Sequence, residues 1–156
     1  KKLCSIVTVL FMLLSFNTIG YAAENKTVYE ENEYVEYFSD GSYIVTTIEE
    51  IASPLSATKT ATAPKTSKYY NSKNELEWTV TVTGTFNYDG KTASCTKAVT
   101  SYKIYNDRWE VTDANASKKG AKAIGDFTVK RYWLGIPTTT VNKTVTLTCS
   151  KDGKIS

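Results

Sequence analysis

Leu76-Glu77-Trp78-Thr79-Val80-Thr81-Val82-Thr83-Gly84-Thr85-Phe86 decides the fold. Its apolar residues Leu76, Trp78, Val80, Val82 and Phe86, with Gly84 in step, recur at every second position, and Glu77, Thr79, Thr81, Thr83 and Thr85 fill the alternate ones. A strand points successive side chains to opposite faces, so this spacing predicts one long strand with an apolar face and a threonine-lined face. Val141, Lys143, Val145, Leu147 and Cys149 repeat the pattern, with Thr144, Thr146 and Thr148 opposite. Stretches near 92–105, 108–114 and 121–133 are rich in Thr, Val, Tyr and Trp and show no helical spacing, which predicts further strands. Asp40-Gly41, Asp89-Gly90 and Lys118-Lys119-Gly120 carry the residues that tight reversals require.

These elements predict an all-β fold, an antiparallel β-sandwich of about seven strands or a partly open barrel. The order Cys95, Trp109, Cys149 resembles that of immunoglobulin domains only loosely. Leu147 stands where the tyrosine of their characteristic corner belongs, and few residues follow Cys149 to form a last strand.

Lys1 and Lys2, the apolar stretch Leu3 to Phe16 and the small residues of Gly20-Tyr21-Ala22-Ala23 read as a cleaved signal helix covering residues 1–22. The apolar stretch is shorter than the roughly twenty residues that cross a bilayer, and no second one of that length follows. The mature chain is therefore expected to be secreted, extracellular and without a transmembrane anchor. It keeps two cysteines, Cys95 and Cys149, because Cys4 belongs to the leader. Outside the cell such a pair most simply forms one disulfide. Free thiols and a metal site are the competing readings, and two cysteines without a histidine supply too few ligands for the latter.

Charge divides the mature chain. Glu24 to Glu50 holds eight acids against Lys26 alone, whereas Ile51 onward holds sixteen Lys and Arg against eight Asp and Glu. Ser53 to Pro64 is small-residue-rich and broken by Pro54 and Pro64, as linkers are. The expected organisation is thus a signal peptide (1–22), an acidic β-hairpin segment (23–50), a linker (51–65) and a basic β-sandwich domain (66–156). Tyr34 to Phe38 and Tyr43 to Ile48 flank Ser39-Asp40-Gly41-Ser42 as the arms of that hairpin. A lone hairpin is marginal in water, so it must join the main sheet or stay loose.

The absence of histidine removes Ser-His-Asp and Cys-His nucleophile systems and imidazole-based metal sites. Ser94-Cys95-Thr96-Lys97 has the spacing of a Ser-x-x-Lys motif but lacks the helix and partner motifs that chemistry uses. Glu75 and Glu77 are paired carboxylates beside Trp78, a pattern seen in glycoside hydrolysis, and read more simply as a solvated outer face. Asp40, Asp89 and Asp152 precede glycines without the alternating oxygen ligands of a calcium loop, and three Asn-x-Ser/Thr triplets carry no weight in so Ser/Thr-rich a chain. No catalytic residue, cofactor or metal is expected.

Binding is the better prospect. In Lys130-Arg131-Tyr132-Trp133 a strand turns one basic and one aromatic residue to each face. Arg131 and Trp133 on a common face suit aromatic stacking against a sugar or base, with Lys118, Lys119 and Lys122 nearby as an anion-attracting turn of the same site. The plainer reading places Trp133 or Tyr132 over the core with the cations in solvent.

Tyr37-Phe38-Ser39-Asp40-Gly41-Ser42-Tyr43-Ile44-Val45-Thr46-Thr47-Ile48, Trp78 to Asp89 with Cys95-Thr96-Lys97, and Leu134-Gly135-Ile136-Pro137 with Val145-Thr146-Leu147-Thr148-Cys149-Ser150 resemble a group of small secreted proteins of Gram-positive bacteria. The resemblance spans nearly the whole chain. It implies a self-contained bacterial secreted protein and assigns no activity. Two functions are expected from the whole: a monomeric, non-catalytic binding or adhesion-like module acting on an anionic cell-wall polymer or a surface protein, without specific nucleic acid; or a toxin-like protein whose acidic segment masks the basic domain.

Overall fold

The computed structural model describes residues 27–30, 33–49 and 59–156. The leader, residues 1–22, and residues 51–58 of the expected linker lie outside the described residues. The described chain is all-β, with two antiparallel sheets that do not close into a barrel. Its strands are β1 (Thr27–Glu30), β2 (Glu33–Tyr37), β3 (Tyr43–Ile48), β4 (Thr60–Tyr70), β5 (Leu76–Tyr88), β6 (Ala93–Ile104), β7 (Trp109–Lys119), β8 (Lys122–Trp133) and β9 (Ile136–Thr148).

The first sheet runs β1-β2-β3-β4-β5-β6 and the second β7-β8-β9. Every strand pairs with its neighbour in sequence, and only the β6–β7 connection changes sheets. This meander lacks the Greek-key crossings of immunoglobulin domains. Trp109 and the two cysteines also sit apart. Trp109 opens β7, whereas the Cys95 and Cys149 amides donate to Gly120 O (2.8 Å) and Ala121 O (3.0 Å) in the turn that follows its far end.

The alternation in the opening stretch is realised directly. Trp78, Val80, Val82 and Phe86 are fully buried, and Thr79, Thr81, Thr83 and Thr85 lie on the other face. Ala123, Phe127 and Val129 of β8 and Val145 and Leu147 of β9 meet them from the second sheet. The layers come closest around Gly84. A Cβ there would lie 2.5 Å from Phe86 Cζ and 2.8 Å from Ala123 Cβ, so only glycine lets the Phe86 ring fold back against its own strand.

The acidic hairpin belongs to the main sheet: β3 pairs with β4 from Tyr43↔Tyr70 to Ile48↔Lys65. Ile44 is 1% exposed in the common core, and the Thr46 and Ser67 hydroxyls share a buried hydrogen bond of 2.7 Å. Glu36 of β2 reaches across to Lys143 of β9 at 2.8 Å. On the opposite flank, Lys118 Nζ donates to Thr96 O (2.8 Å) and Thr100 Oγ1 to Ala114 O (3.2 Å), tying β6 to β7.

Residues 60–65, expected as linker, are strand. Ala61 and Ala63 are buried and alternate with outward Thr62 and Pro64. Pro64 sits inside this strand because β3 ends opposite Lys65. Pro64 O accepts from the Glu49 amide (3.2 Å), so its missing N–H would point past the last ladder position.

Candidate functional site

The sequence points to β8, and the structure separates its two groups of candidates. Lys118, Lys119 and Lys122 are exposed around the β7–β8 turn, where Lys119 and Lys122 are direct cross-strand partners. Arg131 and Trp133 lie at the other end of β8, on the order of 35 Å away at the usual rise per residue. They do not form one site with the lysine turn.

Ala123, Gly125, Phe127 and Val129 are the buried face of β8, and Arg131 and Trp133 continue that face beyond the core. The register shift near Arg131 adds a residue on β9, because Arg131 pairs with Thr139 and Tyr132 with Pro137, so β8 keeps its alternation. Arg131 stands opposite Trp109 of β7, with its guanidinium 6.0 Å from that ring. Arg108 lies over the Trp133 ring at 4.6 Å, and its carbonyl accepts from the Tyr132 amide at 2.7 Å. Trp133 is 53% exposed, so the expectation that it closes the core does not hold.

Inward from these residues lies an aromatic cluster. Tyr69 stacks on Trp78 at 5.0 Å and 4°, and Trp109 meets both rings edge-on at 5.1 and 6.1 Å. The Ser42 hydroxyl and amide donate to Asp40 Oδ1 at 2.6 and 2.9 Å. Those bonds hold the Asp40 carboxyl below the usual carboxylate range, and Arg131 acts in the same direction. Burial pushes the Tyr69 hydroxyl up, against a hydrogen bond with the Ser42 side chain.

Glu77 is a correction. It was expected on a solvated face and is 4% exposed. Tyr69 pairs with Trp78 and Tyr70 with Leu76, so Glu77 is the extra residue of a β-bulge. Bulges re-aim a side chain, and this one delivers the carboxylate to Trp109. Glu77 Oε2 accepts from Trp109 Nε1 (3.1 Å) and Oε1 from Asn71 Nδ2 (2.6 Å), and Asn71 Nδ2 also donates to Glu75 (2.8 Å). Glu77 O receives the Tyr105 and Asn106 amides at 2.9 and 3.2 Å. Glu75, Leu76, Glu77, Tyr105, Asn106 and Asp107 line a depression of about 520 Å3. Alanine at 77 would strand the buried Trp109 N–H, whereas Asn71 keeps Glu75; we expect Glu77→Ala to cost about 1–3 kcal/mol in denaturant unfolding. Glu77→Gln, which keeps an acceptor oxygen, should lose less.

The tip beyond Trp133 escaped the sequence reading as a site. Leu134 and Gly135 form the β8–β9 turn at φ 49° and 78°, and Leu134 and Ile136 are 88% and 66% exposed. Leu134-Gly135 beside Trp133 and Ile136 was the available signal, since a two-residue hairpin turn with positive φ at both positions favours Asn-Gly or Asp-Gly.

Cys95 and Cys149 are buried free thiols in this structure, not the expected disulfide. Their sulfurs donate to Lys97 O (3.2 Å) and Ser150 O (3.3 Å). Burial pushes both thiols up, and for Cys149 the nearby Cys95 adds to the effect. Among the described residues no group of three or more acidic, Cys or His side chains comes together as a metal site would require.

No protein-family model, curated protein or solved structure matches the chain.

Proposed function

We propose that the protein is a secreted, non-catalytic binding module that attaches to an anionic cell-envelope surface through the Arg108, Arg131 and Trp133 end of the sandwich. The observation that carries this reading is the exposed Trp133, with Arg108 over its ring and Arg131 on the same strand face. An aromatic plane beside two guanidinium groups offers stacking and charge-assisted hydrogen bonds together, a combination suited to phosphate or carboxylate groups on a polymer or membrane. The lysine turn at the far end adds a second cationic region that attracts without orienting. Secretion also supports oxidation of Cys95 and Cys149 to a disulfide, with two protons and two electrons passing to an external dithiol-oxidising system.

The masking alternative draws less support. The acidic hairpin contributes Ile44 to the core and hydrogen-bonds Ser67 through Thr46, so releasing it would uncover apolar surface as well as charge.

Sedimentation with isolated bacterial envelopes tests the proposal. We expect retention that weakens steeply as salt rises, because exposed charges are screened beyond about 8 Å at physiological ionic strength. Arg108→Ala/Arg131→Ala should reduce retention about tenfold. Retention indifferent to both salt and these substitutions would remove the reading.

A further inference from the structure

We infer that the β8–β9 hairpin tip, Trp133-Leu134-Gly135-Ile136, is a membrane-insertion element that enters the interface of an anionic lipid bilayer. The inference rests on the envelope-binding reading and names its partner. Three large apolar side chains meet at this tip, Trp133 at 53%, Leu134 at 88% and Ile136 at 66% exposure. Apolar side chains gathered on one protruding turn mark an interaction site where scattered ones do not. Tyr132 to Asn142 holds no charged residue, and Lys130, Arg131 and Lys143 bound it.

Leu134 adds an independent observation. Its φ of 49° lies in the left-handed region, where a residue with a branched side chain is strained and asparagine or glycine is at ease. Leucine here makes the turn worse and packs against no core. Its side chain is explained by something outside the fold.

The shape and chemistry of the tip select a bilayer over the other surfaces of an envelope. Leu134 and Ile136 offer no hydrogen bonds to a sugar polymer, and a convex turn presents no groove to a peptide. A fluid apolar layer accepts such a turn without a complementary shape. Trp133 carries the amphipathic indole that settles at the boundary between headgroups and acyl chains. Arg108 over its ring, with Arg131 and Lys130 behind, sits at the height of lipid phosphates once the tip is immersed. Glu110, opposite Lys130 in the ladder, lies on the neighbouring strand farther from the tip.

The test uses the purified protein with vesicles of equal phosphatidylglycerol and phosphatidylcholine, and with phosphatidylcholine alone. Trp78 and Trp109 are buried, so a blue shift in emission, and quenching by brominated acyl chains, report Trp133. We expect both with the anionic vesicles and at least tenfold weaker binding to the neutral ones. Leu134→Asp should weaken anionic-vesicle binding at least tenfold without lowering the melting temperature. Leu134→Asn should raise the melting temperature and weaken vesicle binding, two opposite changes that a purely structural leucine would not produce. Unchanged vesicle affinity in both variants would overturn the inference. Retention on lipid-stripped cell walls without vesicle binding would overturn it while leaving the envelope reading intact, and retention on neither would remove both.

Discussion

Trp78→Ala is expected to lower the unfolding free energy by about 3–5 kcal/mol, a large share of the roughly 5–15 kcal/mol that holds a domain of this size together. Trp78 is fully buried, stacks on Tyr69 and supports Trp109, which in turn holds the Glu77 carboxylate. Removing it opens a cavity and loosens three elements at once. Among the described residues its indole N–H is buried without a hydrogen-bond partner. Trp78→Phe therefore loses less than its change in volume implies, since it also deletes an unsatisfied donor. Urea unfolding of the three proteins measures the difference; a Trp78→Phe loss as large as its share of the Trp78→Ala volume change implies would show that the orphan N–H carries no cost.

Oxidation of Cys95 and Cys149 is the second large effect. Closing the loop between them is expected to stabilise the protein by about 4 kcal/mol on the chain-entropy model. The two cysteines lie near one another, because both amides bond to adjacent carbonyls of the β7–β8 turn and Cys95 bears on the Cys149 thiol. Protein recovered outside the cell should take up no alkylating reagent even when unfolded. After reduction it should take up two equivalents, slowly while folded, because burial disfavours both thiolates. Two reactive thiols in the unreduced, unfolded protein would remove the disulfide from the account.

Much of the architecture was legible because strand periodicity is a local signal. The alternation from Trp78 to Phe86 places four apolar side chains in the core without reference to any other part of the chain, and it fails at Leu76, which the bulge turns to the face of Tyr70. Alanine and threonine in Thr60 to Thr66 alternate equally well, but small side chains carry little apolar contrast and Pro64 masks the pattern. The inward face of β4 there needs small residues, since Ala63 pairs with Gly84 and Ala61 with Phe86, where the layers approach. Only the facing sheet reveals that. Glu77 was misread for a related reason. A bulge is a mismatch between two strands and leaves no mark on either alone, so strict alternation sent its side chain to solvent. Arg131 and Trp133 do share a face, as the spacing implied, yet their partner Arg108 comes from the β6–β7 connection, and chain separation hid it. The lysine turn was grouped with them because β8 is short in sequence and long in space.

The most direct test of the central claim, that the Trp133 end is the contact surface, is iodide quenching of tryptophan fluorescence with and without saturating bacterial envelopes. Trp133 supplies nearly all the quenchable emission of the free protein, because Trp78 and Trp109 are 0% and 5% exposed. Binding through this end predicts that envelopes abolish the iodide-accessible fraction. Bound protein whose tryptophan remains as open to iodide as in solution would contradict it.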